Sequence, residues 1–386
     1  MLYGTAFGDA LGGPIEFQDP KLVQKLPRPP HHWLPDEALG PDERKALAAR
    51  MQLRSYDPLR PTPESYGQWN SHAAPGTITD DTRHKLILLD ALHKADRMGQ
   101  WPVGSREMAR AFLDWPAGKA ISGNPGYVAL AADWLEEWQL AARWVLGERD
   151  PQQALPPERM WQGLPTCCGQ MTSLPLAALF PGRPTEAYQA AWKIGFFDNG
   201  WGKDLNAAVV AGLSTALTLP SDRSNPREAW NRIISTMRTC DPYRYSGIRW
   251  TQRAVDRWLD YALRTARDAG GRPARMFEAW QSEFRENAKW EAQVPFVVII
   301  GCLAICEFEP LASLQLTQEW GWDTDSYAQL LGAFVGALYG KEIFRPEWLD
   351  AVRSGMERDF GVQLDSEAAF LGRLADASIR RELIGK

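Results

Sequence analysis

Two short acidic segments, Thr79-Asp80-Asp81-Thr82 and Asp323-Thr324-Asp325-Ser326, carry the residue types best suited to chemistry in this chain. Each sets two carboxylates beside hydroxyl side chains where a helix is expected to begin. Together they form an all-oxygen donor set suited to hard divalent cations such as Mg²⁺ or Mn²⁺. The plainer explanation for each segment is helix capping, because Asp and Thr are favoured at an N-cap and in the first turn. A single cap accounts for one such residue, not for Asp-Asp with Thr on both sides. Asp323 and Asp325, two apart, match part of a calcium loop, but the downstream Gly and Glu of that loop are missing. Clustered carboxylates repel one another strongly without cations. The two segments are therefore read together as one site for two divalent ions.

A third segment, Gly8-Asp9-Ala10-Leu11-Gly12-Gly13-Pro14-Ile15-Glu16, adds two more carboxylates. On one continuous helix Asp9 and Glu16 would lie seven apart and share a face, although Pro14 works against continuation. Glycines recur every fourth residue here (Gly4, Gly8, Gly12) and again at Gly332, Gly336 and Gly340. Each costs roughly 1 kcal/mol against Ala in a helix, and a glycine stripe lets helix backbones approach closely. Two buried helices in tight contact are the expectation, which would bring the N-terminal segment beside the Asp323 motif.

The elements that must position these residues are helical. Apolar periodicity predicts helices over Thr82–Met98, Tyr127–Leu146, Leu205–Leu217, Trp250–Ala269 and Ser326–Tyr339. Stops fall at Gly147, Pro181-Gly182, Gly270-Gly271 and Gly340. No alternating β-branched run demands a strand and no fixed-period repeat is present, so the fold class is all-α, a compact helical bundle with the metal site between helices. A single domain over 1–386 is expected, with a Pro-rich excursion at about 18–74 that carries too few apolar residues to fold alone.

Composition narrows the function classes. Over 386 residues the formal net charge is −5, with no basic excess to neutralise phosphates, so nucleic-acid binding is not expected. The five cysteines, Cys167, Cys168, Cys240, Cys302 and Cys306, are odd in number and form no CxxC pair. That speaks against a disulfide framework or a structural zinc site and for a reducing compartment. The N-terminus lacks a basic n-region, so no signal peptide is indicated. The longest apolar run, Val294 to Cys306, is too short to span a bilayer and is read as a buried helix. A cytoplasmic monomer is the expectation. Several of the 18 Trp fall in helical patterns (Trp134, Trp138, Trp144, Trp258) and read as packing, with a minority left to line a pocket. The five His give no catalytic signal: His84 and His93, nine apart, point to opposite sides of one helix, and His31, His32 and His72 lie in or near the Pro-rich excursion.

In order and type the three segments resemble the ADP-ribosylglycohydrolase superfamily, which includes ADP-ribosylhydrolases and dinitrogenase-reductase-activating glycohydrolases. The resemblance rests on Gly8-Asp9 with Glu16, on Thr79-Asp80-Asp81, and on Gly321-Trp322-Asp323-Thr324-Asp325-Ser326 followed by the Gly- and Ala-rich Leu331–Ala337. It runs from Gly4 to about Gly340 and implies an all-α fold. It implies that Thr79, Asp80, Asp81, Asp323, Asp325 and Ser326 hold two divalent cations, Mg²⁺ or Mn²⁺; Asp81, if shared between both, would hold their spacing. Glu16 and Asp81 would be the catalytic residues. The implied reaction is hydrolysis of an N- or O-glycosidic bond at the ribose of an ADP-ribosyl group, carried by a protein side chain or a small derivative. Rivals are hydrolysis of another ribosyl or nucleoside-like glycoside and a non-catalytic ADP-ribose binder.

The middle of the chain departs from the family pattern. Cys168-Gly169-Gln170-Met171-Thr172-Ser173-Leu174-Pro175 resembles a Gly-Asn-Gly-x-x-Met-Arg-x-x-Pro loop that holds substrate phosphates, but the Asn and Arg are absent. A family Thr-His pair is replaced by Phe197-Asp198-Asn199-Gly200. Gly169, Gln170, Met171 and Asp198 are nonetheless the expected substrate contacts, together with Asn124 and Gly126 of a loop preceding a helix, whose N-terminus can receive an anion.

Overall fold

The computed structural model describes residues 1–13, 16, 76–115, 125–220, 225–247 and 249–384, with the backbone alone at 125–134 and 377–384. The 18–74 excursion, Asn124, His31, His32 and His72 lie outside the described residues or within that undescribed stretch. Among the described residues the regular elements are helical, and the β pairing is the isolated bridge between Thr166 and Glu291. In chain order the α-helices are α1 (Leu2–Gly12), α2 (Asp80–Met98), α3 (Ser105–Asp114), α4 (Pro125–Leu146), α5 (Cys168–Thr172), α6 (Pro184–Ile194), α7 (Gly202–Ala216) and α8 (Pro226–Thr239). They continue with α9 (Ala254–Asp268), α10 (Pro273–Glu283), α11 (Gln293–Ile305), α12 (Pro310–Glu319), α13 (Thr324–Tyr339), α14 (Pro346–Phe360) and α15 (Leu364–Ile384).

Most predicted helices begin two or three residues earlier in the structure, at Asp80, Pro125, Gly202 and Thr324. The opening residues are Asp, Pro, Gly and Thr, which suit a first turn but carry no apolar periodicity. The stretch read from Trp250 starts instead at Ala254. Arg253 stays extended there because its guanidinium is drawn to the buried Asp204, donating to both carboxylate oxygens at 2.6 and 2.8 Å.

Burial follows from the patterning. On α9 one face enters the core through Val255, Trp258, Leu259 and Ala262, while α11 is apolar all round and buried from Gln293 to Leu303. No helix among the described residues is long and apolar enough to cross a membrane. All five cysteines are free thiols, and Cys306 alone is not fully buried.

The contact that positions the site is α1 against α13. Gly4 lies on the backbone of Gly332, Gly8 on that of Ala328 and Gly12 on that of Asp325, each so close that an added methyl would overlap the facing backbone. Gly340 takes no part; it ends α13 with φ +77°. The register is fixed by polar bonds, Thr324 Oγ1 donating to Gly12 O at 2.8 Å and Thr5 Oγ1 to Gln329 Oε1 at 2.8 Å. Only glycine permits this spacing, and the spacing carries the first helix to the acidic first turn of α13.

Candidate metal centre

Asp9 ties α1 to the start of α2. Its carboxylate is fully buried and accepts the Thr79 and Thr82 backbone N–H groups, each at 2.8 Å. A helix start leaves its first N–H groups unpaired, and Asp9 supplies two acceptors from a different helix. Thr79 is the N-cap of α2; its hydroxyl accepts the Asp81 N–H and donates to Asp325 Oδ2 at 2.7 Å. Ser326 Oγ donates to the Asp81 carboxylate, 3.1 Å from Oδ2. The two acidic segments, 246 positions apart, therefore interlock through their hydroxyls.

Glu16 arrives by a different route from the continuous helix considered above. Helix α1 ends at Gly12, and the Glu16 N–H donates to Gly13 O in a turn that returns the carboxylate to the site. It is buried beside Asp323 and Asp325.

The electrostatics are strained. Burial pushes the carboxyl of Asp80 up to about 6 and that of Asp323 to about 7. Glu16, Asp81 and Asp325 are raised well above the carboxylate range, by burial first and then by one another's charge. Two buried cations stand behind the cluster and serve the backbone of the acidic turn: Lys85 Nζ donates to Asp81 O at 2.7 Å and Arg83 Nε to Thr79 O at 3.3 Å. Burial lowers both, Arg83 to about 9. Two cations against five carboxylates leave a surplus of negative charge, which a divalent ion would offset.

The oxygens fall into two overlapping groups of ligand atoms, each lying within 4.8 Å of one another: Glu16, Asp323 and Asp325 in one, Asp80, Asp81 and Asp325 in the other. The carboxylate common to both is Asp325, not Asp81. Asp323 Oδ2 and Asp325 Oδ1 are buried without a hydrogen-bond partner, an arrangement costly for a protein alone and natural for an ion ligand. The Thr79 and Ser326 hydroxyls spend their protons on carboxylates and keep lone pairs to offer. Hard oxygen donors of this kind suit a divalent metal ion.

Above this floor opens a cavity of about 500 Å³. Glu16, Asp80, Asp81, Asp323 and Ser326 line its base; Trp138, Trp161, Trp290 and Met171 stand in its walls, with Glu136 and Glu137 beside them. Met171 and its neighbours Cys167 and Cys168 are thus the part of the α5 segment that meets the cavity. Gly169, Gln170 and Asp198 stand behind it. Asp198 accepts the Gly169 N–H at 2.8 Å and Asn206 Nδ2 at 2.7 Å; Gln170 Nε2 donates to Asn206 Oδ1 and Ala292 O. Gly126 falls in the first turn of α4.

Sequence reasoning passed over His84. Its ring lines the cavity, packs 4.4 Å from Trp138, and holds Nδ1 2.8 Å from Asp80 O. A carbonyl only accepts, so Nδ1 carries the proton and Nε2 is an acceptor with no protein partner. Burial lowers the ring's pKa to about 3, so it is neutral. Its position one turn past Asp80 was the available signal. His93, on the far side of α2, stacks on Phe370 and meets Glu367 at 2.9 Å.

The fold and this acidic floor define a helical protein with a cluster of acidic residues that could hold a metal ion. The family model for ADP-ribosylglycohydrolase matches residues 1–381, and the chain belongs to that family. Membership supports a glycohydrolase-type activity, and the clustered acids suit the divalent metals on which the family typically depends. One solved structure, described as an "ADP-ribosylglycohydrolase-related protein complex", is similar over 97% of this chain and 96% of that chain, with a TM-score of 0.51 and 16% identity. At that identity the likeness speaks for the fold. No curated protein matches the chain in sequence.

Proposed function

We propose that the protein is a divalent-metal-dependent glycohydrolase that cleaves an N- or O-glycosidic bond at the anomeric carbon of a ribosyl group. The observation that carries this reading is Asp325, shared by two groups of buried carboxylates at the base of a ligand-sized cavity. Bound cations would supply Lewis acidity and a grip on the ribose hydroxyls. Thr79, Asp80, Asp81, Asp323, Asp325 and Ser326 hold them in this reading, and Lys85 and Arg83 fix the turn that presents three of these ligands. Glu16 is the proton acceptor for the attacking water, through its carboxylate oxygens. The same carboxylates stabilise positive charge as it grows on the sugar ring. The walls hold the rest of the ligand and exclude water.

Family membership supports ADP-ribosylated side chains or small ADP-ribosyl derivatives as substrates. A second reading, hydrolysis of a different riboside, is favoured by the cavity walls: among the described lining residues none is Lys or Arg. The test is a panel of ADP-ribosyl-arginine, ADP-ribosyl-serine, O-acetyl-ADP-ribose and nucleosides, assayed with Mg²⁺ or Mn²⁺ and with EDTA. Turnover of one of them that EDTA abolishes is the expected result. Binding of ADP-ribose with no turnover of any compound would make the protein a binder and end the proposal.

A further inference from the structure

The outer half of the cavity differs in chemistry from its base. Trp161 is held with φ +51°, followed by Gln162 at +58°. Bulky residues rarely adopt this conformation, and such strain persists only where surroundings enforce it. The enforcing contact is the Trp161 N–H, which donates to Glu137 Oε1 at 2.8 Å. Trp290, also in the lining, is tied to the α5 segment, its carbonyl accepting the Cys167 N–H at 2.9 Å, and the residue is 39% exposed. Trp138 completes the set as a buried wall. Aromatic faces beside carboxylates attract a flat cation, through the ring quadrupole and through charge.

Among the described residues the same region offers an anion little. At the turn into α5 every amide with a described bond is spent inside the protein: Cys167 N–H on Trp290 O, Gly169 N–H on Asp198 Oδ1, and those of Gln170 and Met171 on Cys167 O. No Lys or Arg stands among the described lining residues, and Glu136 and Glu137 would repel a pyrophosphate. His84 Nε2, an acceptor, is likewise suited to a ligand N–H or O–H rather than to a phosphate oxygen.

We infer that the site selects ribosides that carry no pyrophosphate and whose aglycone is a planar cation before cleavage, the N-ribosyl pyridinium class, held by Trp161 and Trp290 and faced by Glu136 and Glu137. The inference rests on the glycohydrolase reading above. In the reaction the water oxygen bonds to the anomeric carbon and the C–N bonding pair passes to the ring nitrogen, which becomes neutral. One water proton is released, first to Glu16. Such a leaving group needs no acid to protonate it.

A matched pair of compounds tests this. Nicotinamide riboside and oxidised nicotinamide adenine dinucleotide share the scissile bond and leaving group and differ by the adenylyl phosphate. With Mn²⁺, kcat/KM should be about tenfold or more higher for the riboside, the ratio expected of one or two lost or repelled charge contacts. Glu136→Gln, with Glu136→Gln/Glu137→Gln as the stronger variant, should raise KM for nicotinamide riboside several-fold, and by more than it raises KM for inosine, a neutral riboside. Equal or faster turnover of the dinucleotide, or of ADP-ribosyl-arginine, overturns the inference while sparing the hydrolase reading. Indole fluorescence quenching separates the two further. Tighter binding of nicotinamide riboside than of the dinucleotide without any turnover would sink the hydrolase reading and keep the subsite.

Discussion

The Thr79 hydroxyl donates to Asp325 Oδ2 at 2.7 Å, joining the N-cap of α2 to the first turn of α13. Asp325 also belongs to both groups of candidate ligand atoms. One side chain therefore closes the site mechanically and, in the proposed function, bridges its ions.

Replacing it should separate these roles. Asp325→Ala removes a buried carboxylate that burial and the charges of Glu16, Asp81 and Asp323 disfavour, so the metal-free protein should lose little stability or gain some. Wild type should gain several degrees in Tm on adding Mg²⁺ or Mn²⁺, as mass action requires of a ligand that binds the folded state. The variant should show no such gain and no turnover, with unchanged helical circular dichroism. A full metal-induced shift in the variant would rule out Asp325 as the shared ligand.

Two helical glycines, one in the stripe and one outside it, predict effects of opposite sign. Gly8→Ala puts a methyl into the Ala328 carbonyl, and overpacking of this kind costs about 1–3 kcal/mol. Because α1 also carries Asp9, metal affinity should fall with stability. Gly372→Ala, on α15 with open space around the new methyl, should instead stabilise by about 0.5–1 kcal/mol from helix propensity. Thermal or urea unfolding of the pair checks both signs.

These glycines also show what was legible in the sequence. Spacing by four at both ends of the chain foretold the α1–α13 contact, because no other residue allows that approach and the constraint is local in sequence. The all-α class was legible for a similar reason: periodicity is written along each helix. The cavity walls were not. Glu136, Glu137, Trp161 and Trp290 sit in unremarkable local patterns and acquire meaning only when α4, the Met160–Gly163 turn and the segment before α11 converge. Gln170 and Asp198 look like ligand contacts by position in the chain, yet Gln170 Nε2 is engaged by Asn206 and Ala292, and Asp198 Oδ1 by Gly169 and Asn206. Long-range pairing of that kind leaves no trace in a single sequence.

Asp9 acts on the site without being placed among its ligands. Its two oxygens each take one amide of the Thr79–Thr82 turn. In Asp9→Asn one of those oxygens becomes an NH₂ facing an N–H, so one bond is lost and replaced by donor against donor. The turn that presents Thr79, Asp80 and Asp81 should loosen. Supporting groups of this kind typically change metal affinity by about 10–100-fold, and a weakening in that range, with saturating metal restoring most of kcat, is expected by calorimetry and kinetics. Unaltered metal affinity would mean that the turn holds its shape without Asp9.

Asp198 predicts a pH effect that is independent of the metal centre. It is wedged between Gly169 and Gly195, where only the absence of a side chain leaves room for its Oδ2. Burial raises its pKa from 3.8 to about 7, against the lowering influence of Asn206, Lys203 and the Gly169 amide. Folding thus favours the protonated form: this residue's contribution is fully present below about pH 4 and is lost as pH rises through about 7. The slope in that window reaches about 1.4 kcal/mol per pH unit for one group. Asp198→Asn keeps an oxygen to accept from Gly169 and Asn206 and cannot ionise. The variant should therefore match wild type near pH 4 and exceed it in Tm by several degrees at pH 8, with EDTA present throughout. A difference in Tm that stays constant from pH 4 to pH 8 would show that Asp198 does not titrate in this range.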